Sequence, residues 1–296
     1  MKILLLYNPF AGGKRGKKLL PQVKSSLKKN NIDFDLKITE YPQHGIKIVR
    51  ESDFAGYDGI VASGGDGTLF DLINGYYQNQ SKKRIPVGVI PTGTGNAFAR
   101  ELDIGSDSWQ EAIEIIGLNK TKKVDAGHFR TGEQDYYYLN ILGLGFVADV
   151  VATAQKLKFL GNISYTFGVF YRMSLLNTHQ LTIEIDGNKI EQENIFVEIS
   201  NTRYTSNFLM SPNAKIDDGL LDVTLLRKTT RRKLLKSFPK MFTGEHIFLD
   251  EVDTFQAKKI SVKTDTPKVL TPDGELLGHT PVEVECLHHG IEMFWK

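Results

Sequence analysis

An α/β domain followed by a mostly antiparallel β domain is the fold class this chain predicts. Three observations carry it. Up to about residue 125, short apolar runs alternate with stretches whose apolar residues recur at helical spacing. Those runs end in loops rich in glycine, asparagine and hydroxyl residues. Beyond Val124 the runs become strand-like and follow one another with turns between them. Strand alternating with helix builds a parallel, doubly wound, Rossmann-like sheet, whereas successive strands build an antiparallel one. The predicted domains are therefore 1–125 and 126–282.

Residues 3–7 form the first strand, which is too short an apolar run for a signal peptide because Asn8-Pro9 ends it. A loop over 8–16 leads into a helix with Leu19, Leu20, Val23 and Leu27 on one face. Pro21 fits that helix if it lies in the first turn. Phe34, Leu36 and Ile38 alternate as a second strand ending at Thr39, and 46–54 reads as a helix. The run Gly59-Ile-Val-Ala-Ser-Gly-Gly-Asp-Gly-Thr68 comes next. It is a buried strand, then a glycine loop, then a helix marked by Leu69, Leu72, Ile73 and Tyr76. Residues 85–90 repeat the pattern and end in Pro91-Thr-Gly-Thr-Gly-Asn96. In the second half, 136–141, 181–185, 195–200, 221–226 and 260–262 read as strands. Asp186-Gly187 marks a hairpin. Helices are expected over 163–176 and 231–242, and the apolar face of 157–176 reads as core or as the lining of an acyl-chain pocket.

The composition narrows the function. The 296 residues are 41% hydrophobic and carry a formal net charge of +2, too near neutral to argue for nucleic acid. Basic residues cluster at 14–18, 82–84 and 227–236, which reads as solvated helix faces or as contact with an anionic surface. A single cysteine, Cys286, excludes an internal disulfide and fits a cytoplasmic location. No run of about 18 apolar residues is present to span a membrane. The seven histidines show no metal-ligand spacing, and His288-His289 reads as structural or surface. There is no Gly-x-Ser-x-Gly and no Cys-x-x-Cys.

Chemistry is expected at the carboxyl ends of the parallel strands, where doubly wound sheets bind ligands. Asn8, Thr39, the 64–68 loop and the 91–96 loop all fall there. Gly64, Gly65 and Gly67 lack a Cβ, so an anion can approach the backbone N–H groups at the helix start. A carboxylate beside phosphate repels it, so Asp66 is expected to face a metal ion, a water or a hydroxyl proton. Two acid-rich turns follow in the β domain. Residues 212–222 are an ordinary turn or an oxygen-ligand site for Mg²⁺ or Ca²⁺. Pro272-Asp-Gly-Glu275 is a turn whose two carboxylates suit a general base and a metal ligand.

Taken in order, Asn8-Pro-x-Ala-Gly, Gly64-Gly-Asp-Gly-Thr68, Pro91-Thr-Gly-Thr-Gly-Asn96, Ile216-Asp-Asp-Gly-Leu-Leu-Asp222 and Asp273-Gly-Glu275 resemble the diacylglycerol kinase catalytic-domain family. That family is similar to sphingosine and ceramide kinases, and more distantly to NAD kinases. The resemblance spans essentially the whole chain. It implies a cleft between the two domains, with the segment near 283–296 returning to the first. It implies a nucleotide, ATP, held by Asn8, Thr39, Gly64, Gly65, Asp66, Gly67, Thr68 and Thr94. It implies a structural Mg²⁺ bound by the Asp218 carboxylate and the carbonyls of Lys215 and Leu220. Asp273 is the candidate base, with Glu275 beside it and Asp66 as its rival. A second Mg²⁺ would bridge phosphate oxygens.

The expectation is ATP-dependent phosphorylation of a lipid hydroxyl in lipid metabolism, by a cytoplasmic enzyme touching anionic membrane and no nucleic acid. A homodimer is left open. Two alternatives stand. One is an NAD kinase-type enzyme, against which Asn74-Gly75 after the glycine loop argues. The other is a silent binding protein, which the departure Tyr204-Thr-Ser-Asn207, where the family carries a glycine-rich run, keeps open.

Overall fold

The computed structural model describes residues 1–105, 107–156, 168–169, 171–173, 175–205 and 208–296, and of 154–156 the backbone alone. The chain divides into two compact units, Met1–Val124 with His289–Lys296, and Asp125–His288.

The first unit is α/β. Its strands are β1 (Lys2–Tyr7), β2 (Asp33–Ile38), β3 (Gly59–Gly64) and β4 (Val87–Pro91), joined by the end of β16 (Val282–Phe294). They lie in the order β16-β4-β3-β1-β2. Every pair is parallel, with Leu5 level with Leu36 and Val61, and Ala62 level with Val89. The apolar runs are continuous because both faces are covered. Ile3, Leu5 and Tyr7 pack with Val23 and Leu27 of α1 (Ala11–Lys29) and Ile113 and Ile116 of α5 (Trp109–Gly117). Leu4 and Leu6 alternate to the opposite face, which α2 (His44–Arg50) and α3 (Asp66–Gln78) cover. The short α4 (Ala97–Glu101) follows β4.

Two expectations in this unit are corrected. The helix expected over 46–54 ends at Arg50, because the Asn79 side chain donates to the carbonyls of Val49 and Arg50 and satisfies the helix end there. Phe54 is buried beyond it. Pro21 lies inside α1, past its first regular turn, since Gly12, Gly13 and Lys14 all sit at positive φ and only then does regular helix begin.

The second unit is antiparallel β, in the order β13-β12-β9-β8-β14-β16. The strands are β8 (His179–Ile185), β9 (Asn188–Ser200), β12 (Leu221–Arg227), β13 (Val252–Ala257) and β14 (Lys259–Thr264). β5 (Thr121–Thr131) pairs with β6 (Gln134–Tyr138) and β16, and β7 (Ile141–Gly145) pairs with β9 and β15 (Leu270–Pro272). The long β9 changes neighbours along its length. Its residues up to Asn194 face β8, and those from Phe196 onward face β7. Val197 and Ile199 point into the main apolar core with Leu142, Ile183 and Val223. The β8–β9 hairpin turns at Asp186 (φ 45°) and Gly187 (φ 88°), the two positive φ angles the sequence implied.

On β9's other face lies a second apolar cluster, built with α6 (Phe146–Lys156), α7 (Arg231–Ser237), α8 (Lys240–Thr243) and the small hairpin of β10 (Tyr204–Thr205) with β11 (Phe208–Leu209). The single helix expected over 231–242 is two, because Pro239 has no N–H to offer and its ring clashes with the carbonyl one turn back. Most of the helix expected over 163–176, and Ser206-Asn207 of the departing run, lie outside the described residues. Val169 and Met173 are described and buried. No helix among the described residues is long and apolar enough to cross a membrane.

Candidate active site

In the first unit, three loops interlock at the carboxyl ends of β1, β3 and β4. The Asn8 N–H donates to the Ser63 carbonyl at 2.9 Å, and its side-chain amide donates to Thr68 Oγ1 at 3.1 Å. The remaining Asn8 oxygen accepts the Phe10 N–H, which folds the 8–16 loop back over the strand end. The Gly64 carbonyl accepts both the Thr92 and Gly93 N–H groups at 2.9 Å, fastening the second glycine loop to the first. A Cβ on Gly93 would stand 2.4 Å from the Gly65 Cα, and one on Gly64 would stand 2.2 Å from Thr68 Oγ1. Glycine is required at both by close approach alone.

Asp66 opens α3. Its two carboxylate oxygens accept the N–H groups of Ala97 at 3.1 Å and Phe98 at 3.2 Å, the first residues of α4. Sequence alone suggested a metal, a water or a hydroxyl; the partners the structure gives are backbone donors. Burial pushes the Asp66 carboxyl above the usual carboxylate range, opposed by those two donors. Thr39 is buried, with its N–H on the Tyr7 carbonyl at 2.9 Å. Thr94 is exposed at the tip of its loop, Gly67 is half-buried and Thr68 is buried.

The second unit holds the other predicted acids. The Asp273 carboxylate is 9% exposed and accepts three backbone N–H groups, from Leu139 at 3.1 Å, Asn140 at 2.9 Å and Ile141 at 3.0 Å. Its own N–H donates to the Ile141 carbonyl at 2.9 Å. Asp273 and Gly274 both have positive φ, and the Glu275 N–H closes the turn on the Pro272 carbonyl at 2.8 Å. A non-glycine residue in the left-handed region is strained, and the three donated hydrogen bonds hold it there. Glu275 follows, half-buried.

The 215–220 turn is organised by a residue that sequence reasoning missed. Asp125 is fully buried. One of its oxygens accepts the Gly219 N–H at 2.7 Å and the other contacts His288 Nδ1 at 3.0 Å. Its backbone N–H donates to the Ile216 carbonyl at 2.6 Å. The available signal was a lone acid inside the apolar stretch Val124-Asp-Ala-Gly127. Asn201 extends the network, donating to the carbonyls of Asp125 at 3.0 Å and Leu139 at 2.9 Å. Asp218 is exposed and its Oδ1 accepts the Leu220 N–H at 3.1 Å. The ligands the resemblance implied, the Asp218 carboxylate and the carbonyls of Lys215 and Leu220, are all oxygen donors, the type a hard divalent cation takes. Burial, aided by Asp218, raises the Asp222 carboxyl to about 6. Burial, with Asp125 and Asp218, pushes the Cys286 thiol to about 12, so thiolate chemistry has no support here.

A parallel sheet with interlocked glycine loops, joined in sequence to an acid-bearing β unit, is the architecture of a known class. Residues 2–129 match the diacylglycerol kinase catalytic domain, and residues 140–295 match the YegS C-terminal NAD kinase beta sandwich-like domain. The chain belongs to the diacylglycerol kinase catalytic-domain family, a family of kinases. It is 28% identical to a diacylglycerol kinase of Mycobacterium tuberculosis (strain ATCC 25618 / H37Rv), over 99% of this chain and 94% of that one. It is 29% identical to a diacylglycerol kinase of Staphylococcus aureus (strain MRSA252), over 98% and 91%. A crystal structure of a diacylglycerol kinase from Bacillus anthracis str. Sterne superposes with a TM-score of 0.73 at 25% identity, covering 100% of this chain and 97% of that one. A second from the same organism superposes at 0.82 with 27% identity and the same coverage.

Proposed function

We propose that this chain transfers the terminal phosphoryl group of ATP to the hydroxyl of an acyl-bearing lipid. The observation that carries the reading is the interlocking of the 8–16, 64–68 and 92–96 loops around glycines that admit no Cβ. Such a surface offers backbone N–H groups to phosphate at close range. The lipid acceptor rests on the family and on the names its relatives bear.

The residues divide the work. Asn8, Gly64, Gly65, Gly67, Thr68 and Thr94 hold the phosphates, with Thr39 fixing the end of the neighbouring strand. Asp66 holds the start of α4 and so fixes the second loop against the first. Asp125 and Asp218 shape the 215–220 turn, where Asp218, Lys215 and Leu220 would hold Mg²⁺. A divalent cation bound with the nucleotide would offset charge on the phosphate oxygens. Asp273 anchors its turn through three N–H groups, and Glu275 on the same turn takes the proton from the acceptor hydroxyl. Phosphoryl transfer depends mainly on such positioning and electrostatics.

The test is ADP release with Mg-ATP against diacylglycerol, monoacylglycerol, sphingosine, ceramide and phosphatidylglycerol in mixed micelles, with NAD as the soluble control. Stimulation by a lipid supports the reading, and stimulation by NAD alone overturns it. Within the nucleotide loops, Gly93→Ala would force Gly65 and Gly93 apart. Overpacking of this kind costs about 1–3 kcal/mol, so ATP affinity measured by calorimetry is expected to fall roughly 10- to 100-fold.

Peripheral contact with anionic membrane is part of the proposal. α7 carries Arg231, Arg232 and Lys236 and exposes Leu235, while α8 exposes Phe242. The turn packed against α8 (Glu245–Phe248) leaves Phe248 81% exposed. Exposed aromatics beside basic side chains suit an acidic lipid surface. The double variant R232E/F248S is expected to weaken sedimentation with phosphatidylglycerol vesicles by about tenfold or more, while micellar turnover of a short-chain acceptor persists.

A further inference from the structure

β12 and β13 carry a polar face on the side away from the main core. Val223 turns into that core and Phe255 packs against it, so Asp222 and Thr224 on β12 share the opposite side with Thr254 and Gln256 on β13. Asp222 lies level with Gln256, and Thr224 with Thr254. Antiparallel partners stand about 5 Å apart and alternate residues of one strand about 7 Å apart, so the four side chains rise from the corners of a ring-sized floor. A polar face on an alternating strand is ordinarily just solvated. Here it is walled. A groove of about 320 Å³ runs over it, bounded also by Ser211, Pro212, Asn213 and Ile247. That volume falls in the range of small-molecule sites.

The wall holds a polar group that packing does not explain. Ser211 is 4% exposed, and its hydroxyl oxygen has no hydrogen-bond partner among the described residues. Burying a hydroxyl unmatched is costly, and alanine would avoid that cost. The segment around it is pinned. The Ser211 N–H donates to the Arg203 carbonyl at 3.2 Å, and the Ser211 carbonyl accepts the Ala214 N–H at 3.0 Å. His246 Nε2 donates to the Met210 carbonyl at 3.0 Å, tying this wall to the Glu245–Phe248 turn that supplies Ile247.

The lining selects a class of ligand. Asp222 is the only ionisable group among the groove's described residues, and it repels an anion. The Gln256 amide reaches its two oxygens at only 3.4 and 3.5 Å, the outer limit of a hydrogen bond, so both oxygens can accept from a ligand. Gln256 and Asn213 bring amide donors and acceptors, and the hydroxyls of Ser211, Thr224 and Thr254 do both. Pro212 and Ile247 add a small apolar patch. We propose that this groove binds a small neutral polyol of sugar-ring size. Asp222 accepts from two adjacent ligand hydroxyls, Ser211 completes its hydrogen bonding on a third ligand oxygen, and Pro212 and Ile247 cover the ligand's C–H edge. Such a polyol is available as a free sugar or as the head of a neutral glycolipid. The inference holds whether or not the chain phosphorylates a lipid.

The test uses the full chain. Methyl β-D-glucopyranoside and myo-inositol are titrated against it while NMR follows the side-chain amide resonances of Asn213 and Gln256, with 1,3-propanediol as a control whose hydroxyls are not adjacent. The two polyols should shift both resonances saturably, and the control should not. Asp222→Asn should raise Kd about tenfold, the worth of one hydrogen bond to a charged group. Ser211→Ala should raise it about 2- to 10-fold without lowering the melting temperature, which a serine of purely structural use would not do. Gln256→Leu, at an exposed position, should weaken binding similarly. Sedimentation with phosphatidylcholine vesicles containing monoglucosyldiacylglycerol then separates the sources. Retention relieved by methyl glucoside assigns the lipid head, and saturable glucoside binding without retention assigns the free sugar; both uphold the groove. Absence of saturable shifts overturns the inference, as do Kd values unchanged in both Ser211→Ala and Gln256→Leu. Saturation by putrescine in place of the polyols, lost in Asp222→Asn, overturns it in favour of a cation.

Discussion

Glu275→Gln is expected to lower kcat for lipid phosphorylation by 10²- to 10⁴-fold, roughly the contribution of a positioned general base, with ATP affinity and melting temperature unchanged. The neighbouring Asp273→Asn should behave differently. Its carboxylate accepts three backbone N–H groups from 139–141 and sits on a turn residue with φ of 45°. Asparagine supplies one acceptor oxygen and a pair of donors, so at least one buried N–H would face another donor. An unsatisfied buried donor costs about 1–3 kcal/mol, and the strained turn loses its anchor with it. Asp273→Asn should therefore lose activity and melt several degrees lower, whereas Glu275→Gln should lose activity alone. Thermal melts, ATP titration and ADP release on the two variants separate the roles. Loss of turnover in Asp273→Asn at unchanged melting temperature, together with an active Glu275→Gln, would return the base to Asp273.

The contrast between those two acids shows where sequence reading stops. Asp-Gly-Glu announces a turn bearing two carboxylates, but not the backbone donors that the fold brings to the first of them. Asp273 is tied to donors more than 130 residues earlier in the chain. The parallel sheet was legible because β1, β3 and β4 are buried on both faces and read as unbroken apolar runs. The glycine loops were legible because each run stops at residues that only a turn tolerates. The break between α7 and α8 is written in Pro239. Less was visible where one residue serves two ends at once. Asp66 is local to α3 yet caps α4, 31 residues on. Asp125 organises the 215–220 turn from 94 residues away. Glu198 reads as one polar position in an alternating strand, the pattern of a solvated face. Only the packing of α6, α7 and the β10–β11 hairpin over that face turns it into a buried acid.

That burial has a consequence for stability. The Glu198 carboxyl rises from 4.5 in the unfolded chain to about 7 in the folded protein, chiefly through desolvation. The folded pKa is the higher one, so the fold prefers the protonated acid. The stability this group contributes is fully present below pH 4.5 and is lost as pH rises through about 7. One pKa unit corresponds to about 1.4 kcal/mol, so the whole window amounts to about 3 kcal/mol. Glutamine keeps the size and the acceptor oxygen and removes the titration. Glu198→Gln should therefore gain on the wild type as pH rises from 4.5 to 8. The difference between their unfolding free energies should widen by about 3 kcal/mol, on the order of 5–10 °C in melting temperature. The comparison is between two proteins at each pH, so every other carboxylate cancels, including Asp222 with its own raised value. Urea unfolding of both at pH 4.5, 6 and 8 measures it. A difference that stays flat across that range would mean water reaches Glu198 freely and the acid is charged at neutral pH.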